Sequence, residues 1–258
     1  MTEELILPTK KEAPTKDVPS SMILFGLPKV GKTTALSQLP NCLNIDIEKG
    51  SGYVDAMRIQ PPLELGPVGI YNWLKKLAKT IKDAGRPYDF IAIETVSYLD
   101  ELAEWIGTFQ YMNSIQGKKF NRDDKGEMLD PDDPDYKSVH TLPDGAGYRF
   151  SRNVMTEMFD LFKDLSQICT IFVCHVTDKF VLSKTLNKEV RAIDLNLTGK
   201  VRNIYSRDVD AIAYVFQKAN VLNVSFKGDE ERTGGVRGNS SLQGYEGPLD
   251  WKMIFKLK

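Results

Sequence analysis

Apolar and polar positions follow two alternating patterns along most of the chain. Short, nearly continuous apolar runs predict buried strands, and runs in which apolar residues recur three and four positions apart predict amphipathic helices. The predicted strands are residues 21–25, 42–47, 89–94 and 168–174, and the predicted helices are residues 32–39, 70–81, 97–110 and 154–165. Strands that alternate with helices are typical of an α/β fold with a mainly parallel central sheet flanked by helices.

Other segments depart from this alternation. Polar, irregular composition predicts two long loops, at residues 111–148 and 176–208. The C-terminal third turns to strands, which we expect to add to the sheet in antiparallel fashion. These predicted strands are residues 211–216, 221–226 and 251–257.

The N-terminal residues 1–20 are polar and interrupted by prolines, which predicts a flexible tail ahead of one domain at residues 21–258. A chain of 258 residues is long enough for one substantial domain of this kind. The tail contains an apolar triplet, Leu5-Ile6-Leu7. This triplet either lies on the core of its own chain or forms an arm that docks on a neighbouring subunit.

The segment between the first predicted strand and the first predicted helix has the pattern G-x-x-x-x-G-K-[ST] of a phosphate-binding loop. Its two glycines allow successive backbone N–H groups to point at the phosphates of a nucleotide. Lys32 is expected to reach the β- and γ-phosphates, and the Thr33 hydroxyl is expected to bind Mg²⁺. The predicted nucleotide-binding residues are Gly26, Leu27, Pro28, Lys29, Val30, Gly31, Lys32, Thr33 and Thr34.

Polar residues end the other predicted strands, at the edge where open parallel sheets bind their ligands. Glu94 has the place of a Walker B carboxylate, where Asp is commoner, and is expected to hold Mg²⁺ through water. A buried structural carboxylate is the alternative. Asp46 and Glu48 follow the second strand, and His175 follows the fourth. His175 is either a local hydrogen-bonding group or a sensor of the γ-phosphate.

Composition limits the classes of protein and partner. A net charge of −1 gives no global support to nucleic-acid binding, so any contact with DNA would need a local patch. Three cysteines in apolar runs indicate reduced thiols and a cytoplasmic setting. The sequence has neither a signal-peptide pattern nor an apolar stretch long enough for a membrane span, so we expect no membrane association.

The order of these parts resembles the RecA-type recombinase superfamily. A phosphate-binding loop, a strand followed by Asp-x-Glu, a Walker B strand, a long loop, a helix, a strand with a polar end and a second long loop follow one another. More narrowly, the chain resembles the core-only bacteriophage ATPases grouped with Sak-type single-strand annealing recombinases. The resemblance covers about residues 20–258 and implies a RecA-like P-loop NTPase fold.

The resemblance also implies roles for single residues. Glu48 falls where RecA-like enzymes carry the glutamate that orients and activates the attacking water. His175 falls where they carry a polar residue that couples the γ-phosphate to the second DNA-binding loop. Residues 111–148 and 176–207 fall where two loops touch DNA, although neither segment is rich in aromatic residues.

Two groups of basic residues are candidates for contacts with partners. The segment 176–208 has a local excess of positive charge that suits a phosphate backbone, although solvated loop charges are the ordinary explanation. The glycine-rich segment 228–238 is predicted to be a flexible turn and carries arginines that either are solvated or act on the nucleotide of an adjacent subunit. The candidate DNA contacts are Lys179, Lys184, Lys188, Lys200 and Arg202, and the candidate trans arginines are Arg232 and Arg237.

The sequence therefore predicts a Mg²⁺-dependent ATPase that acts on single-stranded DNA as a homo-oligomer, in phage recombination, annealing or repair in the host cytoplasm. ATP is preferred over GTP because no guanine-reading N/T-K-x-D segment follows the loop at a suitable distance. Two alternatives remain open. One is a nucleotide-dependent scaffold or regulator that hydrolyses little, and the other is a small-molecule phosphotransferase that uses residues 111–148 as a lid.

Overall fold

The computed structural model of the chain describes residues 9–10, 13–183, 187–238 and 241–258. The strands are β1 (Ser21–Gly26), β2 (Cys42–Asp46), β3 (Arg58–Ile59), β4 (Phe90–Glu94), β5 (Cys169–Cys174), β6 (Val176–Ser183), β7 (Lys188–Leu195), β8 (Ala211–Lys218), β9 (Val221–Ser225), β10 (Gly235–Val236) and β11 (Glu246–Pro248). The helices are α1 (Lys32–Leu36), α2 (Pro67–Asp83), α3 (Val96–Met112), α4 (Tyr148–Phe162), α5 (Gly199–Asp208) and α6 (Trp251–Phe255).

Nine of the described strands form one large sheet in the order β11-β9-β8-β1-β5-β4-β2-β3, with β10 paired to β8 beside this path. The six strands from β3 to β8 in this order run parallel to one another, whereas β9, β10 and β11 add in antiparallel fashion. The predicted fold class, a mainly parallel sheet flanked by helices with antiparallel C-terminal strands, is confirmed. Because the central strands are parallel, their carboxyl ends meet at one edge.

Helices cover both faces of the sheet, so each central strand is buried on both sides. Ile23 and Phe25 of β1 pack in the core under α2, α3, α4 and α5, whereas Met22 and Leu24 pack in the core under α1 and α6. Strands buried on both faces need apolar residues at nearly every position. This requirement explains why the sequence shows continuous apolar runs rather than alternation.

The amphipathic helices have the predicted faces. In α2, Ile70, Leu74 and Ile81 are buried, and a proline in the first turn begins the helix. Helix α3 begins after Thr95, whose side chain accepts a hydrogen bond from the Tyr98 N–H at 3.2 Å. This N-cap places the start of α3 directly after the carboxyl end of β4.

The segment 176–208 was predicted to be irregular, and this prediction is wrong. Strands β6 and β7 form a two-stranded antiparallel hairpin, in which Val176 is paired with Leu195 and Ser183 with Lys188, and α5 follows. The hairpin lies outside the main sheet, and half of the residues of its first strand are exposed. A strand without a buried face has no apolar alternation to reveal it.

The prediction of a C-terminal strand at residues 251–257 is also wrong, because this segment contains α6. Trp251, Ile254 and Phe255 are buried at positions i, i+3 and i+4. The Asp250 carboxylate accepts a hydrogen bond from the Lys252 N–H at 2.9 Å and caps the helix. Such a short apolar segment fits both periods, and the capping aspartate was the signal that favoured a helix.

The segment between α3 and α4 contains turns and two short 3-10 helices, as its polar composition predicted. Its backbone is attached to α3, since the Val139 N–H donates to the Thr108 hydroxyl at 2.9 Å. Asn121 and Lys137 exchange two hydrogen bonds of 2.8 Å across the segment. These contacts hold the segment 113–147 on the surface of α3.

The described part of the predicted tail contains no helix or strand, and Ser20 attaches its end to the domain. The Ser20 N–H and hydroxyl donate to the Asp210 carboxylate at 3.0 and 2.7 Å. The predicted docking triplet, residues 5–7, lies outside the described residues. The boundary between tail and domain therefore stays a prediction.

The sequence also predicted reduced cysteines and no membrane-spanning segment. All three cysteines are free and buried, and burial raises the pKa of the Cys42 and Cys174 thiols to about 12, which keeps them protonated. Over the described ranges, no helix has both the length and the apolar character needed to cross a membrane.

Candidate active site

The phosphate-binding loop connects the carboxyl end of β1 to α1. Two of its positions require glycine. A Cβ atom on Gly26 would lie 2.5 Å from the Val215 carbonyl oxygen of the neighbouring strand β8, and Gly31 has a φ of 110°. The loop therefore packs tightly against the sheet at one end and turns through a left-handed residue into the helix at the other.

Lys32 lies inside this loop. Its side chain is buried, and its Nζ donates to the carbonyl oxygens of Gly26 and Leu27, both at 2.9 Å. Burial lowers the pKa of Lys32, whereas the nearby carboxylates of Glu94 and Glu48 oppose this shift. The ammonium group is thus held at the centre of the loop and faces the acidic end of the sheet.

Thr33 lies beside the carboxylate at the end of β4. Its hydroxyl donates to Glu94 Oε1, and the Asn44 side-chain amide of β2 donates to Glu94 Oε2 at 2.8 Å. Burial raises the pKa of Glu94, and the two hydrogen bonds only partly offset this effect. The predicted Walker A hydroxyl and the predicted Walker B carboxylate are therefore in direct contact.

This pair has the chemistry of a Mg²⁺ site. Mg²⁺ prefers hard oxygen ligands, and in nucleotide-binding proteins one or two protein oxygens suffice because phosphates and water complete the octahedron. The Thr33 hydroxyl and the Glu94 carboxylate supply such oxygens. Over the described residues, no cluster of three or more His, Cys, Asp or Glu side chains could hold a metal alone. The residues present fit a cation that binds together with a nucleotide.

Glu48 lies at the same edge of the sheet and is held by two donors. Its Oε1 accepts a hydrogen bond from the Thr95 hydroxyl at 2.5 Å and lies 3.3 Å from His175 Nε2. Burial raises the pKa of Glu48, but the bonds from His175 and Thr95 and the charge of Lys32 lower it below its ordinary value. The carboxylate is therefore charged and fixed in orientation.

Asp46 explains why Glu48 has a defined position. The Asp46 carboxylate accepts hydrogen bonds from the Gly50 N–H at 3.0 Å, from the Ser51 N–H at 2.9 Å and from the Gln60 amide at 2.6 Å. It thereby closes the turn that follows β2 and carries Glu48. All the oxygens of Asp46 are used inside the protein, so its role in the Asp-x-Glu sequence is structural.

His175 directly follows β5. Its backbone N–H donates to the Ser97 hydroxyl at 3.0 Å, which joins the end of β5 to the first turn of α3. The Nε2 atom faces Glu48, and the Nδ1 atom is buried without a hydrogen-bond partner among the described residues. The structure thus brings together the two residues, Glu48 and His175, that the resemblance assigned to water activation and to coupling.

A family model described as an AAA domain matches residues 19–244. The chain belongs to this AAA domain family. It is therefore a nucleotide-binding P-loop domain of the ATPase type. A comparison with curated proteins finds no match.

Two solved structures are similar to this AAA domain. One is a prototypical ATPase from the type III secretion system of pathogenic bacteria, with 10% identity, a TM-score of 0.42, and coverage of 84% of this chain and 65% of that chain. This chain thus spans slightly less than two thirds of that ATPase. The other is the RadB recombinase, with 9% identity, a TM-score of 0.41, and coverage of 92% and 90%.

Three residues of the site were not predicted from the sequence of the AAA domain: Asn44, Thr95 and Ser97. Signals for two of them were present. Asn44 interrupts an otherwise apolar strand, and Thr95 comes between a strand and a helix, where an N-cap is expected. Ser97 gave no such signal, because its contact with His175 depends on the approach of α3 to β5.

The candidate DNA contacts fall into two groups. Lys179 and Arg202 are ion-paired with the buried Asp194 carboxylate, Arg202 at 2.8 Å, so they are not the solvated loop charges that we expected. Lys188 and Lys200 are exposed and form no ion pair within the described ranges. Lys184 lies outside the described residues.

The candidate trans arginines lie on a segment that was predicted to be a flexible turn, and this prediction is wrong for part of it. Strand β10 pairs with β8, and the Arg232 guanidinium forms an ion pair of 2.9 Å with Glu246 and lies over the Tyr214 ring. Arg237 is more exposed and lies 3.8 Å from Asp210, at the end of β8 opposite to the phosphate-binding loop. Arg232 is therefore engaged within its own chain.

Proposed function

We propose that this AAA domain is a Mg²⁺-dependent ATPase in which Glu48 activates the attacking water. One observation supports the proposal above all. Glu48 is a charged carboxylate held by Thr95 and His175 at the same sheet edge as Lys32 and the pair formed by Thr33 and Glu94. Base, phosphate ligand and cation ligands therefore come together as hydrolysis of a nucleotide triphosphate requires.

The residues of the loop bind the phosphates. On binding, Lys32 exchanges its two carbonyl partners for phosphate oxygens, which is favourable because an ammonium group binds anions more strongly than neutral carbonyls. Thr33 and Glu94 would hold Mg²⁺. When bound, this ion supplies positive charge that neutralises the β- and γ-phosphate oxygens.

Glu48 acts on the water. Because hydrogen bonds keep its pKa below the ordinary value, the carboxylate is ionised at neutral pH and is a weak base. Its main contribution is therefore to orient the water for in-line attack and to accept the proton late, as charge develops. Thr95 and His175 fix the carboxylate so that little reorganisation is needed.

The test is phosphate release by the purified protein with ATP, with and without Mg²⁺ and single-stranded DNA. We expect Mg²⁺-dependent turnover in the wild type and none in either variant. Lys32→Ala should also lose the binding of ATP, whereas Glu48→Gln should still bind ATP. Glu64→Gln, an exposed glutamate elsewhere, is the matched control. If the wild type shows no turnover under any of these conditions, the ATPase assignment fails, and the nucleotide-dependent scaffold and the phosphotransferase are the alternatives.

The phosphotransferase alternative is less well supported by the structure. It needs the segment 113–147 to act as a lid. However, the Val139 N–H attaches this segment to Thr108 of α3, and hydrogen bonds between Asn121 and Lys137 connect two parts of the segment. A lid must open and close, so its backbone should have few such attachments. We therefore favour hydrolysis.

We further propose that the domain acts on single-stranded DNA as a homo-oligomer, in recombination, annealing or repair of a phage, in the host cytoplasm. The hairpin β6–β7 and the start of α5 support DNA contact, because Lys188 and Lys200 are exposed there and Phe180 is 73% exposed. The segment 113–147 supports it less, since it carries eight acidic and five basic side chains. In this proposal residues 21–258 form the ATPase domain and residues 1–20 an arm.

Light scattering after size exclusion tests this second proposal, with ATP and with or without single-stranded DNA. We expect a larger assembly when both ligands are present. A monomer under all conditions would contradict the oligomer and leave the ATPase proposal standing. The same experiment on Arg237→Ala and Arg232→Ala examines whether either arginine contributes to assembly.

A further inference from the structure

Asn44 is a polar side chain in the middle of the buried strand β2. It is 2% exposed and lies between the core residues Leu43 and Ile45. Its side-chain amide donates to Glu94 Oε2 at 2.8 Å, whereas its Oδ1 atom is buried without a partner among the described residues. A buried amide with an unsatisfied oxygen is unfavourable for folding.

The sheet register explains why Asn44 reaches Glu94. In the parallel pair β2 and β4, Asn44 lies opposite Ala92, two residues before Glu94. Side chains at opposite positions, and at positions two apart, point to the same face. The Asn44 amide therefore approaches the Glu94 carboxylate from the amino-terminal side, while the Thr33 hydroxyl approaches from the phosphate-binding loop.

The hydrogen bond from Asn44 restricts the orientation of the Glu94 carboxylate. Glu has one more rotatable bond than the Asp that is commoner at this place, so its carboxylate has more orientations available. The Asn44 amide occupies Oε2, which leaves Oε1 directed at the Thr33 hydroxyl. Glu94 Oε1 and the Thr33 hydroxyl are then the pair of oxygens that lie beside the phosphate-binding loop.

We propose that Asn44 is a positioning residue that orients the Glu94 carboxylate for the divalent cation of the bound nucleotide. This inference rests on the proposed ATPase function and concerns its cation site. A purely structural role accounts poorly for Asn44, because an apolar side chain of equal size would leave no unpaired oxygen in the core. Cys42, on the same strand and the same face, packs among apolar core residues in this way.

The test is equilibrium binding of a fluorescent ATP analogue to the full chain, titrated with Mg²⁺. Asn44→Leu keeps the number of side-chain atoms and removes the donor, and Asn44→Ser is a second variant in case the first does not fold. Cys42→Ala is the matched control, since it alters the same strand and cavity without touching Glu94. Melting temperatures are measured for all proteins.

We expect all folded variants to bind the analogue equally in EDTA, because the phosphate-binding loop is unchanged. Mg²⁺ should increase the affinity for the analogue. In Asn44→Leu the Mg²⁺ concentration that gives half of this increase should rise about 10–100-fold, as is usual when a residue that orients a metal ligand is lost. In the background of Glu94→Gln, the same substitution should cause no further rise, because both changes act through one carboxylate.

Two outcomes contradict the inference in different ways. If Asn44→Leu and Asn44→Ser tighten at the same Mg²⁺ concentration as Cys42→Ala, Asn44 does not position Glu94, and the ATPase proposal is unaffected. If the wild type itself binds the analogue without any response to Mg²⁺, the proposed cation site fails, and the inference fails with it.

Discussion

Glu48 and His175 join the carboxyl ends of two strands that are not neighbours in the sheet. Glu48 follows β2 and His175 follows β5, with β4 between them, yet Glu48 Oε1 lies 3.3 Å from His175 Nε2. Thr95, which follows β4, donates to the same oxygen. Three adjacent strands therefore determine the position and the charge of one carboxylate.

This arrangement predicts the acid limb of the pH dependence. Burial raises the pKa of Glu48, but the donors lower it to below its ordinary value of 4.5, and His175 is the largest of these lowering contributions. Replacement of His175 by Ala should therefore raise the pKa of Glu48. Because Glu48 acts in its deprotonated form, the fall of kcat on acidification should begin at higher pH in His175→Ala than in the wild type.

Measurement of steady-state kcat from pH 4 to 8 checks this prediction, because this interval includes the ordinary pKa of a glutamate carboxyl group, about 4.3. Glu48→Gln serves as the control, since its residual rate should lack this limb. An acid limb that is the same in His175→Ala and in the wild type would show that His175 does not influence Glu48.

Thr95 is expected to act on both stability and rate, because its hydroxyl has two partners. It accepts from the Tyr98 N–H to cap α3 and donates to Glu48. Thr95→Val keeps the shape and loses both bonds, so we expect a loss of about 1 kcal/mol in unfolding free energy and a lower kcat. Thr95→Ser keeps the hydroxyl and should retain both properties.

Chemical unfolding and single-turnover hydrolysis measure the two effects separately. A lower stability of Thr95→Val with an unchanged single-turnover rate would mean that the hydroxyl serves only as a helix cap.

Glu94 should destabilise the protein in the absence of ligands. Burial is the main cause that raises its pKa, so the folded state binds the proton more tightly than the unfolded state. Stability is therefore lost as the pH rises through the folded pKa. At neutral pH, Glu94→Gln should stabilise the nucleotide-free protein by about 1 kcal/mol, which raises Tm by about 2–4 °C.

Thermal unfolding at pH 7, without nucleotide or Mg²⁺, tests this effect, with Glu64→Gln as an exposed control. The gain should shrink on acidification, because Glu94 itself is then protonated. Asn44 can rotate its amide so that its unpaired oxygen accepts from the new amide group. A lower Tm for Glu94→Gln at pH 7 would contradict the prediction.

The predictability of this molecule from its sequence depends on burial. Strands β1, β4 and β5 are buried on both faces, so their apolar runs identified them. In the hairpin, β6 is buried only at Ser183, and the buried positions of β7 include the polar Asp194, so neither strand shows an apolar run. Helix α6 is too short for its period to be distinguished from that of a strand.

The site could be predicted only where a motif or a strand end marked it. Gly26–Thr33 and Glu94 were identifiable in this way. The contact between Glu48 and His175 depends on strand order, which places the ends of β2 and β5 on either side of β4. Strand order follows from tertiary packing, and local sequence patterns do not contain it.

Arg202 and Lys200 should behave differently although both lie at the start of α5. The Arg202 guanidinium shares the buried Asp194 carboxylate with Lys179, so Arg202→Ala removes one of two ion pairs and should lower the unfolding free energy by about 1 kcal/mol. Lys200 is exposed, so Lys200→Ala should leave stability unchanged. If the hairpin region binds single-stranded DNA, Lys200→Ala should also weaken the salt dependence by about 0.7 in log–log slope.

Chemical unfolding and fluorescence anisotropy with a single-stranded oligonucleotide, at several salt concentrations, measure both variants. Equal loss of stability in Lys200→Ala and Arg202→Ala would contradict the assignment of Arg202 to Asp194. An unchanged salt slope in Lys200→Ala would exclude it as a phosphate contact.

Phe180 is the candidate for a stacking contact with a base. It is 73% exposed on β6, and Leu182, two residues further along the same strand, is 67% exposed. Stacking of a base on an aromatic ring contributes about 1–3 kcal/mol, which corresponds to a loss of about 5–150-fold in affinity when the ring is removed. We expect this loss for Phe180→Ala, and also for Phe180→Leu, because a leucine side chain has no aromatic face.

Leu182→Ala is the matched control, since it removes an equally exposed apolar side chain from the same face of the hairpin. If Phe180 and Leu182 instead pack against a neighbouring subunit, Leu182→Ala and Phe180→Ala should both reduce assembly. Phe180→Leu should then preserve assembly. Anisotropy with single-stranded DNA and light scattering with ATP, on the three variants, therefore distinguish the two roles. A ring needed for DNA binding but not for assembly would identify the hairpin as a nucleic-acid surface.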